Sequence, residues 1–227
     1  MKNKIIALFT AIIIVVSGFA GMSSATAAPL PAAPSKSQNF KDVKKNHIFY
    51  KEIQWMRDKG YANGWGDNTY RPNAPIKRDA VMVFFYRMAG SPEVDLRWDP
   101  AFTDVPKSHV FYKEIQWAYL NGITTGWEMK DGTRQFRPNE PIKRDAMAAF
   151  LYRMNGPEPI YFYYDFDDIS ENKPFYWEMR WMQQKGIANG WTNGKSTTYR
   201  PYSNTQRDAM AAFLYRADKA GVFNDWR

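Results

Sequence analysis

The ten-residue segment RDAMAAFLYR occurs twice, letter for letter, at Arg144 to Arg153 and at Arg207 to Arg216, and a looser copy, RDAVMVFFYR, lies at Arg78 to Arg87. A chain that repeats itself this closely is constrained to build the same local structure at each copy, so the period comes before any residue-level reading. Aligned on itself, the chain gives three blocks that open FKDV at Phe40, FTDV at Phe102 and FDDI at Phe166, spaced 62 and then 64 residues apart. Each continues with FYKEIQW (Phe49), FYKEIQW (Phe111) or FYWEMRW (Phe175), then GYANGW (Gly60), GITTGW (Gly122) or GIANGW (Gly186). YRP, FRP and YRP follow, with Pro72, Pro138 and Pro201 closing a loop ahead of the repeated segment.

Within a block, Phe49, Ile53 and Met56 fall at i, i+4 and i+7 while Lys51, Glu52 and Arg57 point elsewhere, which predicts an amphipathic helix of about three turns. Gly60 ends it, and a Gly-, Asp- and Asn-rich loop runs to Arg71-Pro72. In the second helix Ala80, Val81, Phe84, Phe85 and Met88 share one broad face, with Gly90 after the last turn. Each unit therefore reads as helix, long loop, helix. Two short helices bury too little alone, so three units must share a core, and a pseudo-threefold bundle is the natural arrangement. The connecting segments at 90–101 and 155–165 are rich in proline and aromatics and read as ordered surface connections.

The first 27 residues read differently. Lys2 and Lys4 precede an apolar run from Ile5 to Val16, and small residues end at Ala25-Thr26-Ala27, the pattern of a secretory signal peptide over 1–27. A Pro-, Ala- and Ser-rich linker over 28–39 follows, then units at 40–101, 102–165 and 166–227. No second apolar stretch approaches membrane length, so no membrane insertion is expected after processing. Cysteine is absent, which leaves side-chain burial as the main source of stability in an exported chain. The formal charge of +8 falls to +6 when Lys2 and Lys4 are removed, a balance that suits an anionic partner outside the cell. Export argues against nucleic acid and favours an acidic wall polymer.

On these residues the chain resembles a triplet of S-layer homology repeats, from Phe40 to about Ala217. The residues that carry the likeness are FxDV, the Gly-x-x-x-Gly-Trp loop, FRP and an arginine at the following helix start, three times in order. The resemblance implies a mainly α fold of three helix-loop-helix repeats, a pseudo-threefold three-helix-bundle core with three lobes. It further implies inter-repeat grooves that bind an anionic, often pyruvate-bearing, secondary polymer of Gram-positive-type cell walls, with peptidoglycan as the second candidate. The chain is then secreted and held at the cell surface, without catalysis, cofactor or metal. A wall-modifying enzyme or accessory protein acting on wall glycan is the alternative. One departure stands out: the family's Thr-Arg-Ala-Glu is Lys77-Arg78-Asp79-Ala80, Lys143-Arg144-Asp145-Ala146 and Gln206-Arg207-Asp208-Ala209 here, with only the arginine aligned.

Arg78, Arg144 and Arg207 sit where a helix dipole disfavours a cation by roughly 0.3–1 kcal/mol, so something must offset that. Pairing with Asp79, Asp145 and Asp208, or with Asp42, Asp104 and Asp168, is one reading. A planar fork displayed at a cleft toward a carboxylate or phosphate is the other. Trp65, Trp127 and Trp191 in their glycine-flanked loops either stack on sugar or plug the bundle. Gly64, Gly126 and Gly190 meet a need for positive φ and leave room for a ligand. Trp55, Trp117 and Trp181 read as core or inter-repeat packing, and Arg87, Arg153 and Arg216 as structural or solvated charge. Glu52, Glu114 and Glu178 read as ion-pair partners. His47 and His109 align with each other but with Lys173 in the third unit, which suggests no shared metal or acid-base site. The acidic cluster Asp165, Asp167 and Asp168 is confined to one unit boundary.

Overall fold

The computed structural model describes residues 39–97, 100–161 and 166–227. The signal peptide read at 1–27, nearly all of the 28–39 linker, and Asp165 lie outside the described residues. Among the described residues six α-helices carry the fold: α1 (Tyr50–Asp58), α2 (Arg78–Met88), α3 (Tyr112–Leu120), α4 (Arg144–Asn155), α5 (Tyr176–Gln184) and α6 (Arg207–Lys219). Two small antiparallel hairpins join them, β1 (Trp127–Glu128) with β2 (Arg134–Gln135) and β3 (Trp191–Asn193) with β4 (Ser196–Thr198). No helix among the described residues is long and apolar enough to cross a membrane.

The helices start and stop where side-chain chemistry places them. In α1, Glu52 lies in the first turn and Arg57 in the last, which suits the helix dipole, and Gly60 beyond the end takes φ +74°. Ile53 and Met56 are fully buried, whereas Phe49 precedes the helix and packs half-buried against the core. Gln54 is also buried, which apolar periodicity could not foresee. The second helices depart further from expectation: α2 buries Met82, Val83 and Tyr86 as well as Val81, Phe84, Phe85 and Met88. They are covered almost all round, as central helices are.

The hairpins are a second departure from the expected plain loops. Between tryptophan and the Arg-Pro pair the second and third units have more residues than the first, and each places a turn-forming dipeptide there, Asp131-Gly132 and Asn193-Gly194. Such pairs support the positive φ of tight hairpin turns, and Gly132 and Gly194 take φ +78° and +62°.

Packing runs between units. Helix α2 packs on α3, α4 on α5, and α6 back on α1. Each contact centres on the same pair, a first-helix tryptophan set edge-on to the tyrosine near the end of the preceding unit's second helix. These are Tyr86–Trp117 and Tyr152–Trp181, both 5.5 Å between centroids, and Trp55–Tyr215 at 5.3 Å. The extended residues before the second helices also bond to one another in a cycle: Ile142 N–H donates to Ile76 O at 3.0 Å, Thr205 to Ile142 at 2.8 Å, and Ile76 to Thr205 at 2.9 Å.

Candidate functional site

The cycle continues into the helix starts and explains how a second helix without a threonine cap is terminated. None of the three has a side-chain cap. The first orphan N–H groups donate instead to carbonyls of the next unit's loop: Arg78 N to Glu140 O and Asp79 N to Pro138 O, Arg144 N to Ser203 O and Asp145 N to Pro201 O, Arg207 N to Ala74 O and Asp208 N to Pro72 O. These helix ends therefore spend their first donors on the fold.

Arg78, Arg144 and Arg207 are not displayed cations. They retain only 4%, 4% and 7% of their surface, and no described aspartate pairs with them. Each guanidinium donates through Nε to a backbone carbonyl of the next unit, Phe136, Tyr199 and Tyr70 respectively, at 2.7–2.9 Å. Each also lies over that unit's loop tryptophan: the Cζ of Arg78 is 4.2 Å from the ring centroid of Trp127, that of Arg144 4.4 Å from Trp191 and that of Arg207 4.1 Å from Trp65. Aromatic faces thus offset the dipole penalty, by about 2 kcal/mol where water is excluded. No described residue accepts a hydrogen bond from their Nη atoms. Burial pushes Arg78 down to about 10, still protonated at neutral pH, and moves Arg144 and Arg207 the same way.

A second, more exposed arginine lies over each of the same rings. Arg137 lies 4.5 Å from Trp127, Arg200 4.3 Å from Trp191 and Arg71 4.4 Å from Trp65. Each tryptophan ring thus has two guanidinium groups within 4.5 Å of its centroid, a buried one from another unit and one from its own loop. Trp65 and Trp191 remain 37% and 40% exposed, Trp127 is half-buried, and no described residue takes a hydrogen bond from any of the three indole N–H groups. These outer arginines, Arg71 and Arg200 exposed and Arg137 half-buried, were missed as site residues because Arg-Pro reads as loop closure. The available signal was an arginine recurring three times at one offset.

Asp42, Asp104 and Asp168 hold the outer arginines in place. Each carboxylate accepts two successive backbone N–H groups: Tyr70 and Arg71 on Asp42, Phe136 and Arg137 on Asp104, Tyr199 and Arg200 on Asp168, all at 2.7–2.8 Å. This clamp fixes Arg71, Arg137 and Arg200 in the left-handed region, φ 58°, 59° and 60°, which non-glycine residues adopt only when their surroundings impose it. Gly64, Gly126 and Gly190, φ +70°, +66° and +70°, bring the loop backbone against Phe40, Phe102 and Phe166 beneath.

Of the other recurring groups, Arg87, Arg153 and Arg216 donate to the carbonyls of Tyr61, Ile123 and Ile187 in their own units. His47 Nε2 lies 3.5 Å from Asp208, and its Nδ1 accepts the N–H of Phe49. The three second-helix starts are thus alike in arginine but unlike in the residue facing the aspartate. Tyr70 and Tyr199 hydroxyls bond the Arg207 and Arg144 carbonyls, whereas Phe136 has no hydroxyl to offer Arg78.

Burial raises Asp79, Asp145 and Asp208 above the ordinary 3.8. The native state then binds these protons more tightly than the unfolded chain, so their contribution to stability falls as pH rises above 3.8. Asp67, Asp131 and Asp167, lowered by hydrogen bonds, and Asp95, held at about 2 chiefly by Arg97, act oppositely, and their contribution is lost as pH falls below 3.8. Asp145→Asn, whose aspartate has no histidine among its perturbing charges, isolates the first effect. The stability gained by the parent chain between pH 7 and 4 should shrink in this variant, measured by thermal melts at fixed ionic strength; parallel profiles would contradict the assignment.

Residues 39–81 and 101–148 match the S-layer homology domain family. The chain is also similar to the S-layer protein EA1 of Bacillus anthracis, 27% identical over 206 residues that cover 88% of this chain and 22% of that protein. A cell surface protein of Thermoanaerobacter kivui is 30% identical over 148 residues, 64% of this chain and 18% of the relative. An endoglucanase of Bacillus sp. (strain KSM-635) is 31% identical over 148 residues, 65% of this chain and 15% of the enzyme. The chain thus spans about a fifth or less of the length of these relatives.

Proposed function

We propose that this chain is a non-catalytic wall-anchoring module of a Gram-positive-type bacterium, exported by its leader and held non-covalently by an anionic secondary cell-wall polymer. Three repeats in a pseudo-threefold bundle present three rims, each built from an outer arginine and a tryptophan. The observation that carries this reading is the threefold recurrence of the arginine–tryptophan–arginine stack. The inner arginine and Gly64, Gly126 or Gly190 set the ring against the fold, Asp42, Asp104 or Asp168 aims the outer arginine, and the outer guanidinium meets carboxylate groups such as a pyruvyl substituent. The solvent-exposed part of each indole and its N–H suit an adjoining sugar ring. The matched family and the relatives named for S-layers and cell surfaces support the same reading. Several weak rims meeting one repeating polymer hold it far more tightly than one alone.

The test is sedimentation of the chain with purified cell walls before and after mild acid removes the non-peptidoglycan polymer. Binding should be lost on stripped walls and weaken as salt rises. Retention on stripped peptidoglycan, or release of soluble sugar from intact walls, would overturn the proposal. Titration of Arg71→Ala, Arg137→Ala and Arg200→Ala with released polymer should give unequal losses, because Arg71 faces Asp67 at 3.6 Å and Arg137 faces Glu140 at 3.9 Å while no described carboxylate pairs with Arg200. The largest loss is expected for Arg200→Ala; three indistinguishable losses would contradict the assignment.

A further inference from the structure

Away from the stacks, a cavity of about 190 Å³ opens between the segment that enters the second unit and helix α3, lined by Asp95, Leu96, Ala101, Tyr112, Gln116, Tyr119 and Leu120. Gln116 is 95% buried, and its Nε2 has no hydrogen-bond partner among the described residues. A buried amide left in this state is costly unless something in the cavity completes it. In the third unit the corresponding helix face is tied to its incoming segment: Gln184 accepts the Tyr161 N–H at 2.6 Å and donates to Pro159 O at 3.1 Å. The equivalent residue of α3 is Leu120, which can do neither, and among the described residues no hydrogen bond of this kind bridges the gap.

The lining narrows the occupant. Two tyrosines and two partly exposed leucines, Leu96 at 36% and Leu120 at 53%, offer apolar faces. The Asp95 carboxylate at the edge, bonded to Arg97, disfavours an anion and accepts from hydroxyls. An amide with an unmet donor is best matched by a group that presents a carbonyl, and the volume holds roughly six waters or one small ring. We propose that this cavity binds one neutral N-acetylated sugar residue, its acetamido group paired with the Gln116 amide and its hydroxyls turned to Asp95. The site differs from the arginine rims in both place and charge preference and does not rest on them.

The test follows the Gln116 side-chain NH₂ resonances of the ¹⁵N-labelled full-length chain during titration with N-acetylglucosamine and, separately, glucose. The expected result is a saturable shift with a Kd on the order of millimolar for the acetylated sugar and binding about tenfold weaker for glucose. Gln116→Met should abolish the preference, read at Tyr119, while raising Tm by about 2–4 °C as the orphan amide is removed. That rise shows the variant to be folded. Arg200→Ala should leave the response intact. No saturable shift, an equal response to glucose, or loss of the response in Arg200→Ala would each overturn the proposal, and the first would leave the amide completed by water alone.

Discussion

Gly126→Ala is expected to lower stability by about 3–4 kcal/mol, well above the usual effect of adding one methyl group. The residue sits at φ +66°, where an alanine costs roughly 1–2 kcal/mol. A Cβ there would also lie 2.5 Å from the carbonyl oxygen of Gln135 and closer still to Cε1 of Phe102. The first contact is with hairpin backbone and the second with a ring that has no exposed surface, so neither yields cheaply. Gly122 provides the control, because it takes φ +71° with nothing near the position of a Cβ. Gly122→Ala should therefore cost only about 1 kcal/mol. Denaturant unfolding of the two variants separates backbone strain from steric conflict; equal losses would show that the close approach to Phe102 carries no energy. The displaced loop bears Trp127 and Arg137, so Gly126→Ala should also quench the stack on Arg78.

The sequence makes the helices legible because identical segments must fold alike and because Ile53, Met56, Val81, Phe84 and Phe85 keep helical spacing. The Trp55, Trp117 and Trp181 packing was legible for a similar reason, since a large ring on an amphipathic face needs a partner and α1, α3 and α5 each find a tyrosine across the unit boundary. The arginine environment was not legible. A cation in a helix's first turn reads as solvent-facing or ion-paired, and only the tertiary cycle that carries the next loop over it shows Arg78, Arg144 and Arg207 stacked under tryptophan. The left-handed backbone of Arg71, Arg137 and Arg200 was hidden as well. Proline restricts the residue before it to extended conformations as a rule, and here a remote carboxylate overrides that preference. Hydrogen bonds of this kind link residues about thirty positions apart and leave no local pattern.

The strength of that override sets the second large expectation, a loss of about 3 kcal/mol for Asp104→Ala. Two charge-assisted bonds, to the N–H groups of Phe136 at 2.8 Å and Arg137 at 2.7 Å, disappear together, and the left-handed Arg137 loses what holds it. Asp104→Asn keeps one acceptor but turns an NH₂ group toward the other donor, so it should recover less than half of the loss. Asp131→Ala, which breaks only an exposed turn to Thr133, should change stability little. The carbonyl of Phe136 also receives the Arg78 Nε, so the aspartate clamp and the buried arginine grip the same peptide segment from opposite sides. Groups that share one segment couple, and the Asp104→Ala/Arg78→Ala double variant should fall short of additivity by about 1 kcal/mol or more. Strict additivity in chemical unfolding would mean that clamp and stack act independently. Asp104 would then order the loop without steadying the peptide segment that Arg78 grips.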